Sequence, residues 1–223
     1  HIEIGGPMNV TEKFPGVFLV DGKLATKATF KGWRPFGEQI IGEYRLWDPT
    51  RSTLGAAIIK GLKVMPIAPG SKVLYLGMAH GFTCSYVADI VGKEGIIYGV
   101  EFSERPFTEA LPITEKYGNI MPILADARMP EKYSWIEKVD SVFCDIADTQ
   151  MSEAAIRNAR QFLKMDGFVL IAIKARSIDV VENPRKIVER EVKKFQDAGF
   201  DVVQWFMLDP LERDHGFIAA RMK

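Results

Sequence analysis

Val73-Leu74-Tyr75-Leu76-Gly77, then Met78-Ala79-His80-Gly81, then Phe82-Thr83-Cys84-Ser85-Tyr86-Val87-Ala88-Asp89-Ile90-Val91, then Gly95-Ile96-Ile97-Tyr98-Gly99-Val100-Glu101: this stretch decides how the chain folds. Its first run is short, apolar and β-prone, the pattern of a buried strand. A Gly-x-x-x-Gly turn follows, from Gly77 to Gly81. Apolar residues at 82, 86, 87, 90 and 91 then fit one face of a helix, which Gly92 stops. The run from Gly95 to Glu101 reads as a second buried strand ending in an acid. Strand, glycine turn, helix and strand form a βαβ unit, and such units build parallel sheets.

The turn has a physical purpose. Glycines let a ligand lie against the backbone, and the free N–H groups of the following helix attract an anionic group. Glu101 lies 20 residues after Gly81. An acid at the tip of the second strand can accept hydrogen bonds from both hydroxyls of an adenosine ribose. The dinucleotide fingerprint Gly-x-Gly-x-x-Gly is absent, because position 79 is Ala. The expectation therefore shifts from a nicotinamide dinucleotide to S-adenosylmethionine. A glycine turn that merely packs a helix onto a strand is the alternative.

Outward from this unit, both flanks have distinct textures. Residues 1 to about 10 carry no pattern and are expected to be mobile. From Phe14 to Leu46, short β-prone runs alternate with Asp21-Gly22, Lys31-Gly32 and Phe36-Gly37, and Asp21-Gly22 is a hairpin signal. We expect a small antiparallel β-domain over 1–48 and an α/β domain over 49–223. Asp48-Pro49 is expected to cap an amphipathic helix over 50–63. Past Glu101, a helix to about Tyr117 should be bent or split by Pro112. Further strands are expected at Met121–Asp126, Ser141–Ile146, Gly167–Lys174, Val202–Leu208 and Gly216–Met222, with helices near 131–136, 152–163 and from Asn183-Pro184 to about Ala198. The result is a mostly parallel seven-stranded sheet closed by a C-terminal antiparallel hairpin, the shape of Rossmann-like class I S-adenosylmethionine-dependent methyltransferases.

The totals bound the function. The chain has 223 residues, 47% hydrophobic, with Lys+Arg and Asp+Glu both 29. That suffices for one substantial core and a small appendage. Zero net charge is unlike a free-standing nucleic-acid binder, so any RNA substrate needs other molecules to hold its backbone. Cys84 and Cys144 show no metal spacing, and no metal is expected; Cys144 falls in an apolar strand and reads as a core thiol in a reducing, intracellular setting. No apolar run approaches 18 residues and no leader-like segment is read, so a chain without a membrane association is expected. The first residue is His1 rather than Met, and a trimmed start is expected.

Polar residues collect at strand tips, where ligands bind in an open parallel sheet. Gly77, Glu101, Asp126, Asp145 and Lys174 all occupy such tips. Lys174 ends an almost wholly apolar strand, so its charge needs a partner, and Asp145 one strand over is the obvious one. A structural ion pair is one reading. The other is methyl transfer to a hydroxyl, with Asp145 orienting the nucleophile or taking its proton and Lys174 stabilising developing negative charge. His215, near the last strand, is a third candidate. For Asp126, facing an adenine edge and capping the next turn both stay open.

At these residues the chain resembles archaeal fibrillarins from about Phe14 onward. The most specific segments are Glu43-Tyr44-Arg45-Leu46-Trp47-Asp48-Pro49, Pro122-Ile123-Leu124-Ala125-Asp126-Ala127-Arg128, and Ile171-Ala172-Ile173-Lys174-Ala175-Arg176-Ser177-Ile178-Asp179. The resemblance implies RNA-guided 2′-O-ribose methylation of rRNA, and also of tRNA, within a box C/D ribonucleoprotein. It implies a Nop5-type scaffold protein, an L7Ae-type protein and a guide RNA as partners, and a cytoplasmic place in an archaeal cell. Family cofactor contacts map onto Phe82, Thr83, Glu101, Phe102, Asp126 and Ala127. Gly77, Ala79 and Gly81 of the turn, with Asp145, Ile146, Ala147 and Asp148, complete the expected set. The catalytic aspartate, lysine and histidine map onto Asp145, Lys174 and His215. The departures are Ala79, His80 and Phe82 in a turn usually rich in hydroxyls, Thr53 in place of a usual lysine, and Asp148 in place of a usual glutamine. With Thr53 the family's four-member catalytic set is incomplete, and altered, not abolished, cofactor affinity is expected from the departures in the turn and at Asp148. A structural subunit of the same particle without turnover, and a stand-alone small-molecule methyltransferase, remain competing readings.

Overall fold

The computed structural model describes residues 7–223. Of the stretch expected to be patternless and mobile, residues 1–6 lie outside the described residues, and order begins earlier than Phe14, with strand β1 (Val10–Phe14). It pairs with β2 (Val17–Val20), which turns back into β3 (Lys23–Lys27). Asp21 and Gly22 both have positive φ, 49° and 80°, as a two-residue type I′ hairpin loop demands. With β4 (Ile40–Ile41) and β5 (Tyr44–Leu46) they form an antiparallel sheet in the order β1-β2-β3-β5-β4.

Helix α1 (Thr53–Lys60) is shorter than expected and is capped by Ser52, whose hydroxyl accepts from the Gly55 N–H at 3.1 Å. Asp48 is not the cap. Its carboxylate is already used by the Thr50 N–H at 2.9 Å, a local turn that competes with helix initiation.

The larger sheet follows in chain order: β6 (Lys72–Leu76), α2 (Phe82–Val91), β7 (Ile96–Glu101), α3 (Glu104–Tyr117), β8 (Ile120–Leu124), β9 (Val139–Cys144), α4 (Met151–Phe162), β10 (Leu163–Lys174), α5 (Ala175–Ile178), α6 (Pro184–Asp197), β11 (Asp201–Met207) and β12 (His215–Arg221). Strands β6 to β10 run parallel, and β12 lies antiparallel between β10 and β11, in the order β11-β12-β10-β9-β6-β7-β8. Alternate strand residues feed two apolar layers. Val73, Tyr75, Phe143 and Leu170 join α1 and α2, while Leu74, Val142 and Ile171 join α4 and α6.

Several boundaries differ from expectation. Pro112 sits inside α3 without splitting it. The turn before β9 is a 3-10 helix at Pro130–Tyr133. β8 and β9 stop at Leu124 and Cys144, so Asp126 and Asp145 lie just past the strand ends. β10 starts at Leu163, because that residue already pairs with Val139 ahead of an irregularity before Phe168. The short helix α5 was not expected. No helix of the described residues is long and apolar enough to cross a membrane.

Candidate active site

The chain leaves β6 to build β7 and β8 on one side and then crosses to build β9 on the other. The order reverses between β6 and β9, and a crevice opens beyond their carboxyl ends. Gly77 and Asp145 meet there. The Asp145 N–H donates to the Leu76 carbonyl at 2.8 Å. Gly77 has φ 90°, and a Cβ on it would overlap the Asp145 carbonyl oxygen, so only glycine lets these strand ends close together.

A cavity of about 440 Å³ occupies the crevice, a size usual for small-ligand sites. Gly77 and Ala79 of the turn line it, with Glu101 and Phe102 beyond β7. Asp126 and Ala127 line it beyond β8, and Asp145, Ile146, Ala147 and Asp148 beyond β9, with Lys174 at the tip of β10. Glu101 is fixed by two backbone donors, the Ala79 N–H at 2.8 Å to Oε1 and the Ser103 N–H at 2.9 Å to Oε2. Each oxygen keeps lone-pair capacity for a ligand hydroxyl. Asp126 serves as a turn cap as well as a wall, since its Oδ1 accepts from the Arg128 N–H at 2.9 Å. Hydrogen bonds from the Arg128 guanidinium hold the Asp126 carboxyl below the ordinary aspartate value. Arg128 also lies 3.7 Å from Asp148, so the charge that replaces the expected amide is faced by a cation.

Asp145 and Lys174 come together as expected, with Nζ 3.1 Å from Oδ1. The contact is an ion pair without hydrogen-bond geometry, for Oδ1 is buried and accepts no hydrogen bond. Oδ2 accepts from the Thr53 hydroxyl at 3.0 Å. His215 opens β12 directly opposite Lys174 in register. Its Nδ1 lies 2.6 Å from the Arg213 carbonyl, which can only accept, so Nδ1 is the donor. Burial pushes the Glu212 carboxyl above its ordinary value; His215 and Lys174 pull it down and Asp145 pushes it up, which places Glu212 within electrostatic reach of all three.

Four of the expected site residues are not part of the cavity lining: Gly81, Phe82, Thr83 and His215. Gly81, with φ 97°, forms the start of α2. Phe82 packs edge-on against Phe36 and Tyr86 under the Arg51 guanidinium and lines a different cavity, of about 510 Å³, between the first sheet and helices α1 and α2. Thr83 is buried and donates to Ser52 Oγ at 2.9 Å. Sequence reasoning missed Arg128 and Thr53 as partners of site carboxylates. Arg128 had a local signal, its spacing of two from Asp126; Thr53 stands 92 positions from Asp145, and its only signal was the family lysine it replaces. Cys84 and Cys144 are buried free thiols whose burial pushes their titration up, in keeping with a core role. Among the described residues no group of three or more His, Cys, Asp or Glu is placed to hold a metal ion.

Comparison with known proteins places this geometry. The family model described as Fibrillarin matches residues 8–223. A fibrillarin-like rRNA/tRNA 2′-O-methyltransferase of Pyrococcus furiosus is 48% identical over 222 residues, covering 94% of this chain and 96% of its own. The crystal structure of Aeropyrum pernix fibrillarin in complex with natively bound S-adenosyl-L-methionine superposes with a TM-score of 0.87 at 42% identity, covering 96% of this chain and 98% of that one. A fibrillarin from a fibrillarin/Nop5p complex gives the same score and identity, covering 96% and 100%.

Proposed function

This chain belongs to the fibrillarin family, and we propose from that premise that it methylates ribose 2′-hydroxyls of rRNA and tRNA with S-adenosylmethionine, as the catalytic subunit of a box C/D ribonucleoprotein. The observation that carries the reading is the Asp145–Lys174 pair at the sheet's switch point, in one cavity with the tethered Glu101 and with Asp126.

The residues present fit the cofactor. The missing side chain at Gly77 lets the strand ends that line the cavity close together, and Glu101 retains acceptor capacity towards a diol. Glu101 and Phe102 would hold the ribose, Asp126 and Ala127 the adenine, and Ala79 with Asp145 to Asp148 the remaining wall. Gly81, Phe82 and Thr83 would act by shaping the turn and the start of α2. Bound S-adenosylmethionine supplies an electrophilic methyl on a sulfonium. The chain's own task is to align a ribose hydroxyl with it. The Asp145 carboxylate, on the cavity wall, takes the hydrogen bond and then the proton of that hydroxyl. The Lys174 ammonium stabilises the charge developing on the oxygen. His215 stands opposite Lys174 and bounds the approach.

The partners follow the same premise: a Nop5-type scaffold, an L7Ae-type protein and a guide RNA, which together would supply the RNA grip that a chain of zero net charge lacks. We place the protein in the archaeal cytoplasm, given its archaeal relatives. We further propose a division into residues 1–48 and 49–223, because the first sheet ends at Leu46 and α1 begins at Thr53. The test is methyl transfer from labelled S-adenosylmethionine to a guide-matched RNA, with and without the partners. Label at one 2′-hydroxyl only in the full mixture supports the proposal; assembled particles without label overturn it in favour of a silent subunit.

A further inference from the structure

Asp145 is held from two sides by groups of different charge. Lys174 lies 3.1 Å from Oδ1 but directs no hydrogen bond at it. Oδ2 receives its hydrogen bond from the neutral hydroxyl of Thr53. That hydroxyl is itself rigidly delivered. Thr53 is 6% exposed and is the first residue of α1. The neighbouring Ser52 caps α1 through the Gly55 N–H and accepts from the Thr83 hydroxyl of α2 at 2.9 Å.

We propose that Thr53 is a positioning residue for methyl transfer: by holding Oδ2 it fixes the plane in which the Asp145 carboxylate, beside Lys174, meets the incoming hydroxyl. The proposal rests on the functional reading above. Its physical basis is that the terminal torsion of aspartate is broad and roughly two-fold. An ion pair without a directed hydrogen bond attracts the carboxylate but does not set its plane. A hydroxyl donor sets the plane without adding a second positive charge beside the base. Lys174 then remains the cation in ion-pair contact with Asp145 among the described residues.

Two variants separate positioning from packing, because each keeps what the other loses. Thr53→Val keeps both branches and loses the donor; Thr53→Ser keeps the donor and loses a methyl. Single-turnover methylation in assembled particles should fall about 10- to 100-fold in the valine variant, the range for a misaligned reacting group. The serine variant should stay within roughly 3-fold of wild type, since it keeps that alignment. The KM for guide-bound RNA and the calorimetric affinity for S-adenosylmethionine should hold in both. A crystal structure of the valine variant should show the Asp145 carboxylate turned from its native plane. Wild-type turnover in Thr53→Val overturns the proposal, as does a serine variant as slow as valine, which marks a packing role. If wild-type particles do not methylate, the functional reading fails separately, and the Asp145 plane in the valine variant still decides: an unmoved carboxylate overturns the positioning role.

Discussion

Arg45→Met is the perturbation that most directly tests how the two sheets are joined. The Arg45 side chain is 1% exposed. Its guanidinium bonds Glu38 at 2.9 Å, Asp89 at 2.9 Å, the Tyr117 hydroxyl at 3.1 Å and the Ser85 hydroxyl at 2.6 Å, and it stacks 3.8 Å from the Tyr86 ring centre. Glu38 and Asp89 are themselves 4% and 0% exposed. Methionine fills similar space but leaves two buried carboxylates without their cation. Removing one partner of a buried ion pair costs about 3–5 kcal/mol. At roughly 2–4 °C per kcal/mol for a chain of this size, the melting temperature should drop by about 6–20 °C.

The geometry also ranks the rescues. Asp89 keeps donors from Thr26, Thr29 and Tyr117, and burial with the Asp89 charge pushes the Tyr117 phenol up so that it stays a donor. Glu38 keeps only the Phe36 N–H for its carboxylate among the described residues. Adding Glu38→Gln to Arg45→Met should therefore recover more stability than adding Asp89→Asn. Urea unfolding followed by circular dichroism measures all four proteins. A loss under about 1 kcal/mol for Arg45→Met, the range of a solvated surface pair, would refute the reasoning. So would a better rescue by Asp89→Asn.

Asp145→Ala should lower single-turnover methylation by about 100- to 10,000-fold, the span of a general base, while pulldown shows scaffold assembly intact; unchanged turnover removes Asp145 from the mechanism. Gly77→Ala should destabilise the chain by about 1–3 kcal/mol from its positive φ alone and also displace Asp145. Calorimetry should show weaker S-adenosylmethionine binding, and an unaltered affinity would contradict the close approach. The Asp126 carboxyl titrates below its ordinary value of 3.8, so its pair with Arg128 stabilises the fold above that pH and is lost as the pH falls through the lowered value. Arg128→Gln should thus lower stability at neutral pH and converge on wild type towards acid pH, flattening the slope between, as read from unfolding between pH 7 and about pH 3.

What was legible in the chain before the structure follows the range of the forces involved. The βαβ unit could be read because strand, glycine turn and helix are each decided within a few residues, and α2 begins and ends where the periodicity and Gly92 place it. Asp145 and Lys174 could be paired from sequence because adjacent parallel strands put their tips side by side. The cap of α1 was misplaced because Asp48 and Ser52 are both good caps, and only the competing bond to Thr50 decides between them. Phe82 and Thr83 follow the glycine turn, yet helix phase points one into the inter-sheet core and the other at Ser52, a choice that depends on where the first sheet docks. The same docking explains Thr53 and Arg45. Their partners stand 92 and 44 positions away, and neither residue has a local pattern that announces it. Buried polar side chains act through distant acceptors, so their roles become visible only when the chain brings the acceptors to them. The acids that line the cavity were therefore readable from strand tips, while the groups that hold those acids in place were not.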